Sequence, residues 1–250
     1  MPNNHVYDIA IDSNNVKWLG TYGGGVVKFD EKNWEIFETS NSGLSHDWIY
    51  SIAIDKKNVK WIGTWGGGVS KFDDRNWVVY DPTNSAIPRY KVPSIYIDRK
   101  NIKWFGTVRG LVRFDDTNWK LFTEEEDFLE ASIYALEKNK GGKFWVGFKH
   151  GGFGIFANNS LKQFTTKNSS LPSNSVYSLA AEESGVLWIG TFGDGIVRFD
   201  GSRWKFFNAG NSGLKDNLVF NIKVDNLNNK WIATYKSGLF VFNEMGVIRN

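Results

Sequence analysis

The sequence predicts an all-β protein built from six copies of one four-stranded antiparallel sheet. Three observations carry that prediction. A tryptophan recurs in the same local setting at Trp18, Trp61, Trp104, Trp145, Trp188 and Trp231, at steps of 43, 43, 41, 43 and 43 residues. An aliphatic side chain stands nine residues before each of them, at Ile9, Ile52, Ile95, Leu136, Leu179 and Ile222. No stretch carries a helical period, whereas period-two alternation is broken at short intervals by Gly, Asn and Asp, as in short strands joined by tight turns.

The elements follow in order within one repeat. Ile49 to Asp55 is apolar and runs into the turn Asp55-Lys56-Lys57-Asn58, whose Asp and Asn favour Asx turns and tolerate left-handed backbone. Asp12-Ser13-Asn14-Asn15 and Asp225-Asn226-Leu227-Asn228 are the same turn in other repeats. Val59 to Thr64 is the tryptophan strand. Val69 to Asp73 follows Gly66-Gly67-Gly68 and forms the third strand, and Trp77 to Tyr80 forms the fourth. Gly25, Gly68, Gly110, Gly195 and Gly238 open the third strands, where a positive φ or a close backbone approach is expected.

Four strands in about 43 residues match a β-propeller blade, a twisted sheet that buries its faces on its neighbours. A β-helix or solenoid has shorter turns and needs capped ends. The prediction is a six-bladed β-propeller with four antiparallel strands per blade. It forms a single domain over 1–250, with blades at about 4–39, 47–81, 90–123, 131–165, 174–208 and 217–250. The repeats run in strand order from the start, so closure is expected by blade packing on blade. Two repeats are irregular. Val247 stands where Trp204 stands one repeat earlier, and Leu161 replaces the outer-strand tryptophan of blade four, where the loop 148–152 is also longer.

Composition bounds the function. The chain has 250 residues, 41% of them hydrophobic and 23% charged, enough to bury a core and unlike a disordered segment. Thirty basic against 27 acidic residues leave a net charge of +3, too balanced for a dedicated nucleic-acid binder. Cysteine is absent, which excludes disulfides, thiolate metal sites and a cysteine nucleophile. No apolar run approaches the ~20 residues of a membrane span, and the polar start Met1-Pro2-Asn3-Asn4-His5 has no signal-peptide core.

One stretch carries a family pattern: Leu171-Pro172-Ser173-Asn174-Ser175-Val176-Tyr177-Ser178, then Gly185-Val186-Leu187-Trp188-Ile189-Gly190-Thr191, then Gly195-Ile196-Val197-Arg198-Phe199-Asp200. It resembles the two-component regulator propeller repeat, and weaker copies cover nearly the whole chain. The resemblance implies an extracytoplasmic, periplasmic sensing domain of the kind found in bacterial hybrid histidine kinases, many of which sense glycans or their breakdown products. The family's propellers often have seven blades. This chain shows six repeats and no membrane, kinase or DNA-binding segment of its own.

In a repeat protein, what recurs is explained by the scaffold, and function is sought in what varies at loop tips. Of 12 tryptophans, six form the second-strand set and four, Trp34, Trp77, Trp119 and Trp204, form an outer-strand set. Trp48 and Trp65 are left over, both in blade two. Trp65 lies in the loop joining strands two and three, where its equivalents include Tyr22, Phe192 and Tyr235. Trp48 stands just before a first strand, next to the position occupied by Tyr90 one blade later. In a propeller both loop types open on one face. The candidate ligand-binding set is therefore Trp48, Trp65, Tyr22, Tyr90, Phe192 and Tyr235, with Arg109 and Lys149 and, beside them, Arg89, Lys91, His150, Asp194 and Lys236. Aromatic platforms with interleaved polar groups suit a sugar ring or a peptide. For Tyr22, Phe192 and Tyr235, which recur, packing between loops is the stronger expectation.

Catalysis is not expected. His5, His46 and His150 fall at different repeat offsets, though His5 and His46 could approach each other between blades one and two. The resemblance extends distantly to streptogramin lyase, a propeller enzyme using histidine and a metal, but no matching constellation stands out. Asp12, Asp55, Asp98 and Asp225 are poor calcium ligands, because Lys and Arg sit between the oxygens, and are expected to make turns. Gly23-Gly24-Gly25 and Gly66-Gly67-Gly68 lack the Gly-Lys-Ser/Thr of a phosphate loop. Glu124-Glu125-Glu126-Asp127 is expected to be a solvated connector. No cofactor or metal is expected. The expected function is recognition of a small polar ligand or glycan, with a peptide- or domain-binding scaffold as the alternative and a lyase-like enzyme behind both.

Overall fold

The structure is a computed structural model that describes residues 3–122, 132–138, 143–158, 160–243 and, as backbone, 246–249. The fold is all-β. Six four-stranded antiparallel sheets, each with its strands in sequence order, make the blades of a six-bladed β-propeller. Asn139, which stands six residues before Trp145, and the acidic run 124–127 lie outside the described residues.

The chain divides into two compact units, Met1–Ile133 and Tyr134–Asn250. Blades one to three belong to the first. Their tryptophan strands are Lys17–Thr21, Lys60–Thr64 and Lys103–Thr107. Trp18 of blade one and Trp61 of blade two are each 1% exposed. Trp18 packs with Val26 of its own blade against Ile49, Ile52, Ile62 and Phe72 of the next. Burying an indole on aliphatic side chains removes a large apolar area from water, which explains why the Trp and the aliphatic nine residues earlier recur together.

In the second unit the tryptophan strands are Phe144–Phe148, Leu187–Thr191 and Lys230–Thr234. Trp145 packs against Val176, Leu179 and Ile189, and Trp188 against Val219, Ile222 and Ile232, the same arrangement again. Leu161, in place of an outer-strand tryptophan, is buried.

The outer-strand tryptophans have their own recurring partner. Each faces the phenylalanine that ends the third strand, in the pairs Phe29–Trp34, Phe72–Trp77, Phe114–Trp119 and Phe199–Trp204, with ring centroids 4.2, 4.3, 4.1 and 4.4 Å apart. Directly opposed strand residues bring their side chains close enough for such stacks.

The acidic residue six before Trp18, Trp61, Trp188 and Trp231 does more than turn the chain. Asp12 Oδ1 accepts the backbone N–H groups of Asn14 and Val16 at 2.8 and 3.0 Å, closing the expected turn. Its Oδ2 accepts the Trp18 indole N–H at 3.1 Å. Asp55, Glu182 and Asp225 take the indole N–H of Trp61, Trp188 and Trp231 at 3.2, 2.7 and 2.9 Å. A buried indole N–H needs an acceptor, and at Trp18, Trp61 and Trp188 this spacing supplies one.

A lysine of the following blade completes the arrangement. Lys60 and Lys103, one residue before Trp61 and Trp104, have fully buried side chains and reach back to Asp12 and Asp55 of the preceding blade at 3.7 and 3.4 Å. Lys230 reaches Glu182 at 2.8 Å. Their ammonium groups lie 4.7, 5.2 and 4.7 Å from the ring centres of Trp18, Trp61 and Trp188. Burial works against ionised Asp12 and Glu182, but the N–H bonds and the lysine hold both carboxyls below their usual range. These three interfaces thus each bury a charge that is both paired and hydrogen-bonded, the condition under which burial is tolerated.

Candidate functional site

Two local features position the loop residues. The first is the glycine that opens the third strand. Gly68 has φ +74°, its N–H donates to the Tyr90 carbonyl at 2.6 Å, and an added Cβ would lie 2.3 Å from the Tyr80 oxygen. The turn therefore closes only with glycine, and it ties the loop of blade two to the segment entering blade three. Gly25 makes the same bond to the Asp47 carbonyl at 2.9 Å. These ties bring each loop between strands two and three beside the lead-in of the next blade.

The second feature is a β-bulge in the first strand. The register with the second strand slips between Val6 and Asp8, Ile49 and Ser51, Val176 and Ser178, and Val219 and Asn221. The displaced residues are Tyr7, Tyr50, Tyr177 and Phe220. A bulge re-aims its extra side chain out of the strand alternation. Here each such ring meets the aromatic of a neighbouring loop.

In the first unit these features assemble a continuous aromatic row. Tyr22 bridges to Trp48 as an isolated antiparallel pair, and their rings stack with centroids 4.3 Å apart. Trp48 meets Trp65 edge-on at 5.6 Å, and the Trp65 N–H donates to the Trp48 carbonyl at 3.0 Å. Trp65 stacks on Tyr50 at 5.4 Å, Tyr50 meets Tyr7 at 5.4 Å, and Tyr7 returns to Tyr22 at 5.8 Å. Trp65 and Tyr22 remain 39% and 37% exposed, so the row presents ring surface to solvent. Lys91 lies over it, its ammonium 3.5 Å from the Trp65 ring centre and 5.1 Å from that of Tyr50.

His5 and His46 flank the row. His5 lies 6.4 Å from the Tyr22 ring, and His46 lies 6.1 Å from Trp48 and accepts the Trp48 backbone N–H through Nδ1 at 2.9 Å. Both therefore serve the aromatic row. The neighbouring carboxylates are engaged: Asp47 accepts the Thr39 N–H and hydroxyl at 2.8 and 3.0 Å, and Asp8 accepts the backbone N–H groups of Ile9 and Ile52, each at 2.9 Å.

The second unit holds a smaller group. Phe192 stacks on Tyr177 at 4.8 Å and lies 6.2 Å from Tyr235, which meets Phe220 at 5.5 Å. Lys149 stands 5.8 Å from the ring centre of Tyr134, which meets Tyr177 at 5.1 Å. Phe192 bridges to Leu218, the counterpart of the Tyr22–Trp48 bridge with an aliphatic residue where blade two has tryptophan.

The structure thus joins Tyr22, Trp48 and Trp65 in one row, and Phe192, Tyr235 and Lys149 in another group. Tyr90 and Arg109 join neither. The Tyr90 ring is 45% exposed and its carbonyl serves Gly68, while the Arg109 backbone N–H donates to the Thr107 hydroxyl at 3.1 Å. Sequence reasoning missed Tyr7, Tyr50, Tyr134, Tyr177 and Phe220. The signal was present: an aromatic stands eleven residues before the second-strand tryptophan in every repeat but the third, which has Pro93. Among the described residues no three His, Cys, Asp or Glu side chains are grouped to hold a metal ion.

A two-component regulator propeller family model matches residues 170–193. No curated protein matches the chain in sequence. Solved structures share its fold. PorZ, described as a bacterial surface component of the type-IX secretion system of Porphyromonas gingivalis, is 18% identical with a TM-score of 0.71, over 96% of this chain and 39% of that one. A chain described as the extracellular domain of a hybrid two component system from B. thetaiotaomicron is 20% identical with a TM-score of 0.64, over 98% of this chain and 41% of that one. Virginiamycin B lyase from Staphylococcus aureus is 13% identical with a TM-score of 0.76, over 96% and 81%. The present chain spans about two fifths of the length of the first two.

Proposed function

We propose that this chain is the non-catalytic recognition domain of an extracytoplasmic sensor and that it binds a saccharide or similar small polar ligand on the Tyr22–Trp48–Trp65 row. The observation that carries this reading is that the two tryptophans surplus to the repeat lie against each other, with ring faces open and a lysine beside them. Sugar rings offer flat C–H faces to such platforms and hydroxyls to the polar rim. A ring contact contributes about 0.5–1.5 kcal/mol beyond its buried area, so several rings in one row are what a useful affinity requires. The regulator-propeller repeat at 170–193 and the extracellular two-component domains among the structural neighbours support the sensing role and the address.

A second reading has its own support. The likeness to a surface component of a secretion system favours a scaffold that grips a peptide or partner domain through the same row. Thermal shift against a saccharide panel separates the two, because a ligand that favours the folded form raises the melting temperature, by about 2.7 kcal/mol of stability at one hundred times its Kd. Trp48→Ala and Trp65→Ala are expected to abolish the shift while the protein stays folded. Unchanged saccharide binding in both variants would overturn the assignment of the site.

A further inference from the structure

Blade five breaks the repeat at the turn between its third and fourth strands, and the break is basic. That turn reads Asp30-Glu31-Lys32-Asn33-Trp34, Asp73-Asp74-Arg75-Asn76-Trp77 and Asp115-Asp116-Thr117-Asn118-Trp119 in blades one to three, but Asp200-Gly201-Ser202-Arg203-Trp204 in blade five. The residue before the tryptophan is asparagine in those three blades and arginine here. The acidic residue after the leading aspartate pairs with Lys17, Lys60 and Lys103 in the other three. Blade five has Gly201 there, with Leu187 at the lysine position. The strands beside the turn depart as well. Arg198 stands directly opposite Lys205, where blade one opposes Lys28 to Glu35 in a 2.9 Å ion pair and blade two opposes Lys71 to Val78. Blade three also opposes two cations, Arg113 and Lys120, but keeps Asp116 and Asn118 in its turn. Like charges placed directly opposite each other cost stability, so the scaffold does not account for the blade-five pair.

These departures meet at a cavity of about 410 Å³ lined by Arg198, Asp200, Arg203, Trp204 and Lys205. Small-molecule sites occupy roughly 300–1,000 Å³. All five lining residues come from two adjacent strands and their turn, so the cavity is complete within one blade. Arg198 and Asp200 are mostly buried, and Arg203 stands at the rim with its side chain 88% exposed. Asp200 is the one acidic lining residue, and its oxygens are engaged. Oδ1 accepts the Ser202 and Arg203 backbone N–H groups at 3.1 and 2.8 Å and the Ser202 hydroxyl at 3.0 Å. Oδ2 accepts Arg203 Nε at 3.2 Å and lies 3.7 Å from the Arg198 guanidinium. The Arg203 and Ser202 N–H groups above all hold this carboxyl down to about 2, so it stays charged. Three cations against one carboxylate leave the cavity with two positive charges in excess. Arg203 spends only Nε on Asp200, which leaves its terminal nitrogens for a ligand.

We propose that this cavity binds the phosphate group of a small phosphate monoester, held by the guanidinium groups of Arg198 and Arg203 and the Lys205 ammonium. A monoester carries a charge of about −1.5 to −2 near neutral pH, which matches the excess in the cavity. Arginine forks suit its oxygens, and Asp200 fixes where both forks sit. An anion between Arg198 and Lys205 also relieves the repulsion that their opposed positions build in. The site is separate from the aromatic row and does not rest on the saccharide reading.

Isothermal titration of the full chain at about pH 8 tests this, with methyl phosphate as the dianion and methyl sulfate as a monoanion of the same shape. Methyl phosphate is expected to bind with a Kd below about 1 mM in about 0.02 M salt and to weaken towards about 0.15 M. Absence of saturable binding up to about 10 mM overturns the proposal. Methyl sulfate is expected to bind about fivefold more weakly or worse, having one charge fewer, and equal affinities overturn the assignment of a phosphate. Arg203→Asn installs the residue that blades one to three carry, and Lys205→Glu the residue of blade one, so both variants are expected to keep a cooperative melt. Each is expected to weaken methyl phosphate binding at least about tenfold, and unchanged affinity in both sinks the site. Lys120→Glu makes the same change of charge on blade three and is expected to leave the affinity alone. An equal loss there means attraction to the overall charge and overturns the cavity as the binding place. Trp48→Ala is expected to leave methyl phosphate binding intact, and its loss in that variant moves the ligand to the aromatic row and refutes the blade-five assignment.

Discussion

The Lys60 ammonium lies 4.7 Å from the centre of the Trp18 ring and 3.7 Å from the Asp12 carboxylate oxygen that accepts that ring's N–H. One cation thus holds both the face and the edge partner of an indole in the neighbouring blade. Removing it by Lys60→Ala leaves a cavity and a buried carboxylate without its counterion. The expected cost is roughly 3–5 kcal/mol, read from urea unfolding. Lys60→Met fills the space and keeps the contact with the indole but leaves the same carboxylate without its counterion, so it is expected to recover only the cavity part of the loss.

Gly68 combines φ +74° with the Tyr80 carbonyl in the way of a side chain. Gly68→Ala is expected to cost more than the left-handed backbone penalty of about 1–2 kcal/mol alone, because that carbonyl must also move. Thermal melts read the loss.

Glu137 gives the stability a pH dependence of unusual sign. Burial pushes its carboxyl up to about 7, against the Lys138 backbone N–H at 2.9 Å and the Lys223 charge, which favour ionisation. A carboxyl raised on folding stabilises fully below its unfolded value, and that contribution is lost as pH rises through the folded one. Stability is therefore expected to fall between about pH 4.5 and 7. Glu137→Gln is expected to flatten that limb in denaturation midpoints taken across the range. At the acid end the sign reverses. Asp12, Glu182 and Asp116 are held below their usual values, so their contribution is present above the unfolded values and is lost as pH drops through the folded ones.

Tyr50 supports Trp65 from behind the exposed face of the row. Tyr50→Leu keeps the backbone ladder and removes the stack at 5.4 Å. The change in stability is expected to stay within about 1.5 kcal/mol, because the position is only partly buried. The emission of Trp65 is expected to shift, and saccharide binding to weaken by about tenfold, one aromatic contact's worth.

The blades were legible because their causes are periodic. Trp18, Ile9 and Asp12 sit at fixed offsets that repeat along the chain, and a residue kept by packing repeats at the period of the packing. Trp48 and Trp65 were legible by the converse, since neither has a counterpart that the scaffold demands. Other parts were hidden for physical reasons. Tyr7 and Tyr50 recur at the period of the repeat, but they stand inside a strand pattern and read as ordinary alternating residues, because the bulge that re-aims them leaves no mark in composition. Lys60 looks like a surface residue in a strand of mixed polarity. Its burial depends on a carboxylate 48 residues earlier, whose second oxygen the turn reading left unassigned. Tyr90 was drawn toward the row by its position next to a first strand, yet it is its carbonyl that the fold uses.

The slip in the first strands separates two kinds of freedom. Because Tyr7, Tyr50, Tyr177 and Phe220 fall outside the paired register, the hydrogen-bonded frame is indifferent to what those positions carry. Exchanging one ring there for another, or for a polar group, re-furnishes the surface of the neighbouring loop and leaves the masonry of tryptophan, carboxylate and lysine standing. Among the described residues, four such sockets are open to a designer.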